Sequence, residues 1–230
     1  RRAVQDCIGE ALNAELREVY QRLDSGQPYA PEAGQIAARS LRNTCLEFLV
    51  SADDGALALA LQQFKGAGNM TDRLAALKII AFYGSGDVRD ASLEAFYQDW
   101  RHEALVVNQW FQVQAAIPDQ DALSRVQSLL SHPEFDLRNP NKVRALIGIF
   151  ANQNPLNFHR RDGEGYRFLA DMIIELNALN PQIASRLLSP LTKWRNYSGR
   201  AELMRAQLER LAAAPSLSPD VFEVVTKSLQ

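Results

Sequence analysis

The chain has 230 residues, 47% hydrophobic and 23% charged, and its 25 Lys and Arg against 27 Asp and Glu leave a formal net charge of −2. That length suits one large globular domain or two small ones, and the balance supplies no net positive field for nucleic acid or an anionic membrane. Two cysteines, Cys7 and Cys45, exclude a disulfide framework and a Cys-rich zinc site, and no apolar run approaches the roughly 20 residues of a membrane span. A single disulfide stays open, with two buried free thiols the favoured reading. The opening Arg1-Arg2-Ala3-Val4 carries no initiator Met and leads into no signal core. The expectation is a fragment of a longer chain or a processed product.

Glycines and prolines fall mostly between periodic segments, and almost no stretch alternates with the period of a strand. Two long helices are expected over 3–25 and 31–51, the second opened by Pro31 after the break Gly26-Gln27-Pro28. Shorter ones follow at 55–66, 72–83, 88–101, 103–116 and 120–131, then at 140–151, 163–179, 181–194, 199–213 and 218–228. The clearest stripes at i, i+3, i+4, i+7 are Val143, Leu146, Ile147, Phe150 and Leu169, Met172, Ile173, Leu176. Leu74, Leu77, Ile80, Ala81 is nearly as regular, and Met204, Leu208, Leu211 and Phe222, Val225 mark the last helices. Asn139-Pro140, Asn180-Pro181 and Ser218-Pro219 each read as an N-cap followed by proline at the first helical position. Gly84-Ser85-Gly86 ends one helix, Asp87 can cap the next, and Asn152-Gln153-Asn154-Pro155 reads as a turn.

The expected fold is all-α without a sheet: about a dozen helices in antiparallel pairs forming a curved, armadillo- or HEAT-like superhelix. Residues 1–230 form a single helical domain in this reading, with 1–54 leading in and 55–230 forming the superhelical pairs. No strict sequence period supports a particular repeat type, so a compact helical bundle is the alternative.

Catalytic patterns are missing. His102-Glu103 begins the zinc-protease pattern H-E-x-x-H, but Val106 stands where the second histidine belongs, so two ligands cannot share a helix face. His132 and His159 lie in other elements. There is no G-x-S-x-G elbow, and Gly163-Glu164-Gly165 follows no strand, so it reads as a turn rather than a phosphate cradle. Asp53-Asp54 reads as solvent-facing or capping. The cluster Phe96, Tyr97, Trp100, Trp110, Phe111 reads as core. Arg160, Arg161 and Arg167 read as a solvated face neutralised by Asp162 and Glu164.

Several long strings are more specific. His132-Pro133-Glu134-Phe135-Asp136, Asn139-Pro140-Asn141-Lys142-Val143-Arg144-Ala145-Leu146-Ile147-Gly148 and Phe150-Ala151-Asn152-Gln153-Asn154-Pro155 resemble the C-terminal helical domain of bacterial M1-family aminopeptidase N. The likeness continues through Phe158-His159, Asp162-Gly163-Glu164-Gly165-Tyr166 and Asn180-Pro181-Gln182-Ile183-Ala184-Ser185-Arg186-Leu187. Met70-Thr71-Asp72-Arg73, Ala104-Leu105-Val106-Val107 and Trp110-Phe111 fit the same domain.

The resemblance implies a cytoplasmic zinc exopeptidase as the parent protein, removing N-terminal residues from peptides, of the membrane alanyl aminopeptidase type. Its zinc and catalytic groups would lie upstream of residue 1, leaving this chain with no catalytic residue, metal ligand or cofactor of its own. The domain would act as a non-catalytic cap that encloses the active-site cavity, limits entry to short peptides and helps position them. Its partners would be the upstream catalytic domain of the same polypeptide and the peptide substrate, with neither nucleic acid nor membrane, and the isolated fragment would be prone to self-association. Matched to the family's motifs, Arg144, Gln182 and Arg186 line that cavity, and Asn152, Gln153 and Asn154 are weaker candidates. The spacing is compatible: Gln182 and Arg186 stand at i, i+4, and Arg144 sits about 100° round the helix from Val143. A guanidinium there suits a peptide C-terminal carboxylate or carbonyl, whereas bracing neighbouring helices is its structural alternative. An independent helical scaffold that binds protein segments is the second reading, and a stand-alone hydrolase around His159 the third.

Overall fold

The computed structural model describes residues 2–24 and 26–230, and among them it contains helices and no strand. The chain divides into two compact units, with the boundary between Asp99 and Trp100.

The first unit is built on α3 (Ala33–Ala52), against which both α1 (Arg2–Ala11) and α2 (Asn13–Arg22) pack. The single helix expected over 3–25 is therefore two, bent at Leu12 (φ −116°, ψ 24°). Hydrogen bonds continue through the bend, from Leu12 N to Ile8 O and from Leu16 N to Leu12 O. No proline marks the bend in the sequence; it lets both halves lie on one partner. Ser25, the last residue of that expected helix, lies outside the described residues. Gly9 permits the approach, because a Cβ there would meet Phe48 O at 2.2 Å. α4 (Leu57–Gly66), α5 (Met70–Tyr83) and α6 (Gly86–Trp100) follow. Leu46, Leu49, Ala60, Leu77, Ile80 and Phe96 form the unit's core, each at most 1% exposed.

A polar network crosses that core. Gln63 Nε2 donates to Asn43 Oδ1 (2.7 Å) and Asp72 O (2.9 Å), while its Oε1 accepts from the Tyr20 hydroxyl (3.1 Å). Asn43 Nδ2 donates to Asp72 Oδ1 (2.9 Å). Buried amides are tolerated when every group is paired in this way. Cys45 is buried and its thiol is pushed up by burial, but Cys7 is exposed, which corrects the expectation of two buried thiols.

The second unit runs through α7 (Ala104–Ala116), α8 (Ala122–Leu129) and a long helix spanning Pro140–Gln153. That helix is α-helical at Pro140–Val143 (α9), widens to a π-turn over Arg144–Gly148, and returns to α at Ile149–Gln153 (α10). The expected turn Asn152-Gln153-Asn154-Pro155 is divided: Asn152 and Gln153 end α10, and Pro155 starts the single helical turn α11 (Pro155–Phe158). α12 (Glu164–Leu179), α13 (Pro181–Leu187), α14 (Ser189–Thr192), α15 (Ala201–Ala212) and α16 (Pro219–Leu229) complete it. The helix expected over 181–194 breaks because Pro190 has no N–H to continue it.

Asn139, Asn180 and Ser218 are N-caps as expected, accepting from Asn141 N (3.0 Å), Ile183 N (3.1 Å) and Val221 N (3.3 Å). The stripe residues Val143, Leu146, Ile147, Phe150, Leu169, Ile173 and Leu176 are all fully buried. Met172 and Leu74 are half-buried, and Phe222 is 52% exposed, with Val221 and Val225 facing inward instead. The aromatic cluster belongs to two places. Phe96 is buried in the first unit. Trp110 and Phe111 are buried in the second, where both rings pack on His132 at 5.2 and 5.6 Å.

Candidate functional site

Arg144 begins the π-turn, directly after the buried Val143, and is itself exposed. In a π-turn the hydrogen bond reaches back five residues, here from Ile149 N to Arg144 O, and such widenings recur at functional sites. Among the described residues the Arg144 side chain donates only to Asn141 Oδ1, at 3.2 Å.

Gln182 and Arg186 are both exposed on α13, whose other face buries Ile183, Ala184 and Leu187. Among the described residues Arg186 has no carboxylate partner and the Gln182 side chain has no hydrogen bond. The two helices meet at Gly148, where a Cβ would lie 3.8 Å from Leu187 Cδ2 and 3.8 Å from Arg144 Cβ. Arg144 therefore stands on one side of the seam, and Arg186 is the chain neighbour of Leu187 on the other. Of the acids that precede this helix, Glu134 pairs with Lys142 at 3.4 Å, and Asp136 accepts from Arg138 N at 2.9 Å. Two exposed arginines without counter-charges form a place where a carboxylate or carbonyl oxygen is favoured.

The weaker candidates separate. Asn152 and Gln153 are exposed at the end of α10, and Asn152 Nδ2 turns back to Gly148 O (2.8 Å) as a self-cap. Asn154 points inward and is 1% exposed. Its Nδ2 donates to Ala115 O (3.0 Å) and Ile117 O (2.8 Å), and its Oδ1 accepts from Asn157 Nδ2 (2.9 Å). It is a clamp on the end of α7 and lines no open surface. Sequence reasoning missed Gly148, although a lone glycine inside a helical pattern was the available signal.

His159 is half-buried among aromatic rings. Its Nδ1 shares a 2.8 Å hydrogen bond with the Tyr166 hydroxyl, and its ring stacks on Tyr197 at 4.1 Å. Burial, with the Arg200 guanidinium second, holds its pKa below the ordinary value, and burial pushes the Tyr166 hydroxyl up to about 12. The unfolded chain thus binds the imidazole proton more readily than the native one. Stability rises with pH through the imidazole range and is lost as pH falls below the ordinary value. Chemical denaturation at pH 7.5 and pH 5 checks this: the native chain loses stability toward acid, and His159→Gln loses less. An equal loss in both would move the effect to other groups.

His102 is exposed and stacks on Trp100 at 6.4 Å. Among the described residues no group of three or more His, Cys, Asp or Glu is placed to hold a metal, so the zinc implied by the resemblance finds no ligand set here. Arg160 pairs with Asp162 (2.6 Å) and Arg167 with Glu164 (2.7 Å), the local neutralisation expected of that face. The first unit has an open cavity of about 850 Å³ between α2, α3 and the 66–69 turn, but its Arg42 is paired with Asp24 at 2.9 Å. Its Arg39 donates to Gln35 Oε1 at 3.0 Å and to Ala30 O at 3.3 Å.

Helix pairs of this length, with apolar faces on successive elements and no sheet, define an armadillo-type repeat domain. The chain belongs to the family described as "Domain of unknown function (DUF3458_C) ARM repeats", which matches residues 1–230. It is 45% identical over 217 residues to aminopeptidase N of Caulobacter vibrioides, covering 93% of this chain and 25% of that protein. It is 42% identical over 231 residues to aminopeptidase N of Escherichia coli K12, covering 100% and 26%. Crystallographic aminopeptidase A of Legionella pneumophila, in complex with aspartic acid, superposes with a TM-score of 0.90 at 31% identity, covering 100% of this chain and 28% of that one. The chain spans about a quarter of the length of the relatives it matches. The resemblance to the C-terminal domain of M1-family aminopeptidase N is thereby established.

Proposed function

We propose that this chain is the non-catalytic C-terminal cap of a cytoplasmic zinc aminopeptidase that removes N-terminal residues from peptides. The cap encloses the active-site cavity, limits entry to short peptides, and uses Arg144, Gln182 and Arg186 to hold the part of the peptide beyond the scissile bond. The observation that carries this reading is the uncompensated guanidinium seam in a chain whose relatives are aminopeptidases about four times its length. Such a seam contributes by orienting a bound peptide and by excluding water, not by bond-breaking. Zinc, when bound in the upstream catalytic portion, supplies the Lewis acid and activated water. The residues here bind and orient.

The test is an assay with an alanine chromogenic amide. The isolated chain releases no product at any concentration, with or without added zinc, and the complete polypeptide does. Turnover by the isolated chain that survives chelation would instead support the hydrolase reading around His159.

The outer face of α1 supports attachment to more polypeptide. Val4, Ile8 and Leu12 stand at i, i+4, i+8 and are 61%, 37% and 45% exposed. Repeat arrays end in polar faces when they face water. An apolar stripe of this kind is the face on which the preceding part of the same polypeptide docks, the part represented in the remaining three quarters of the relatives' length. In isolation the chain self-associates through it. Light scattering shows oligomers at high concentration, and Val4→Glu with Ile8→Glu restores the monomer. If the isolated chain without these substitutions is monomeric at the same concentration, this docking face is removed from the account.

A further inference from the structure

The open cavity of the first unit is lined by two arginines whose charges are met differently. Arg39 and Arg42 stand at i, i+3 on α3 and both line it. Each guanidinium lies over a tyrosine ring, Arg39 over Tyr29 at 4.8 Å and Arg42 over Tyr20 at 4.6 Å. Arg42 sits between two carboxylates, 2.9 Å from Asp24 and 3.9 Å from Asp72. Arg39 donates to neutral oxygens, those of Gln35 and Ala30, and among the described residues no carboxylate pairs with it. A guanidinium has five N–H groups, so its charge and most of its donors are left over.

The bonds that Arg39 does make fix its place. Gln35 Nε2 donates to Pro28 O (3.1 Å), and Gln35 Oε1 also accepts from Ala30 N (2.9 Å). Gln35 and Arg39, one turn apart, thus hold residues 28–30 against α3, and the guanidinium is positioned before any ligand arrives. The two acids of the cavity are also unequal. Asp72 is 6% exposed, and its oxygens accept from Asn43 and Asn69 at 2.9 Å each. Asp24 is exposed; its Oδ2 accepts from Arg42, and among the described residues its Oδ1 has no partner. The amides of Gln21 and Gln62 line the same cavity, are exposed, and have no hydrogen bond among the described residues.

We propose that this cavity binds a short peptide with free ends, of dipeptide size, whose carboxylate pairs with Arg39. A planar fork of donors suits a carboxylate, and the charge-assisted bond is the strong one. The open oxygen of Asp24 suits the ammonium, and the unspent amides offer a donor and an acceptor to the peptide group. Two arginines against two aspartates leave the lining neutral, so a zwitterion enters without adding net charge. A phosphate dianion would bring two charges to one unpaired cation, beside two acids. The volume of about 850 Å³ lies within the usual range of small-ligand sites. None of this depends on Arg144, Gln182 or Arg186, which belong to the second unit.

The experiment titrates the 230-residue chain with L-alanyl-L-alanine by isothermal calorimetry, beside its C-terminal amide, its N-acetyl derivative and inorganic phosphate. Alanylalanine is expected to bind one to one. The amide and the N-acetyl derivative each bind about tenfold more weakly, the loss of one charge-assisted bond. Phosphate binds no better than the amide. Arg39→Gln brings the acid down to the level of the amide. Gln62→Glu is the control for folding: that side chain has no bond to lose, so the melting temperature holds. Its added negative charge weakens the acid by about fivefold or more and leaves the amide no weaker. No saturable binding of alanylalanine at millimolar concentration would overturn the proposal, as would equal affinity for acid and amide. Phosphate binding as tight as that of alanylalanine would make this a general anion site and overturn it too. So would acid binding untouched by both Arg39→Gln and Gln62→Glu. Arg144→Ala with Arg186→Ala separates this site from the seam. Binding lost in that variant would move the peptide to the second unit and overturn the proposal; binding kept supports it, whatever becomes of the cap reading.

Discussion

Gly165→Ala lowers the stability of the chain by about 3 kcal/mol, at the upper end of overpacking effects. At 2–4 °C per kcal/mol for a chain of this size, the melting temperature falls by roughly 6–12 °C in calorimetry. A Cβ at this position would lie 2.4 Å from Phe158 O, 2.8 Å from Phe158 Cα and 2.9 Å from Phe158 C. All three are backbone atoms, so no rotamer change relieves the overlap; α12 must move away from α11. The movement also strains the edge-to-face contacts of Phe158 with Phe150 (6.2 Å) and Tyr166 (5.2 Å). Gly163→Ala provides the comparison. That glycine has φ +74°, but a Cβ there would meet only the flexible Leu203 side chain, no closer than 3.5 Å. Its cost is the left-handed backbone alone, about 1–2 kcal/mol. If Gly163→Ala proves the more damaging of the two, the close approach of α11 and α12 is not what Gly165 provides.

Asn154→Asp is the second large effect. The Asn154 amide donates to Ala115 O and Ile117 O from a site that is 1% exposed. Aspartate has the same shape but, ionised, donates nothing. It places a carboxylate against two carbonyl oxygens, and the protein loses about 3–4 kcal/mol, combining two lost bonds with an uncompensated buried charge. Asn154→Ala removes the bonds without adding the charge and costs about 2–3 kcal/mol. Acid separates them: protonating the introduced carboxylate restores a donor, so the aspartate variant regains stability relative to the alanine variant as pH falls. Denaturation curves of both variants from pH 7 to pH 4 read this directly, and parallel pH profiles would exclude the clamp.

The helical class was legible because the periodic stripes are long and the Asn-Pro and Ser-Pro starts are local chemistry. Asn139, Asn180 and Ser218 cap their helices through bonds that span two or three residues, and no distant partner is needed to set them. Features decided by tertiary packing were not legible. The bend at Leu12 exists because α1 and α2 share α3 as a partner. The π-turn exists because Ala145, Leu146 and Ile147 are all drawn inward. Regular 3.6-residue spacing explains Val143, Leu146, Ile147 and Phe150 well, so the stripe concealed the widening between them. Arg144, Gln182 and Arg186 came from string resemblance; the i, i+4 spacing of the latter two was compatible and no more. What the structure adds is their exposure, their lack of counter-charges and the glycine seam. Asn154 shows the opposite limit, since an amide-rich turn looks alike in sequence whether its side chains face a substrate or a carbonyl thirty-nine residues away.

A domain that positions peptides without performing the cleavage is tested most directly through peptide length. The measurement is kcat/KM of the complete polypeptide on alanine-initiated peptides of two to eight residues, with and without Arg144→Ala and Arg186→Ala together, beside alanine p-nitroanilide. The double variant is expected to retain anilide turnover and to lose about tenfold on the shortest peptides, flattening the preference for length. Equal losses on the anilide and on every peptide, or no change in length preference at all, would contradict the positioning role.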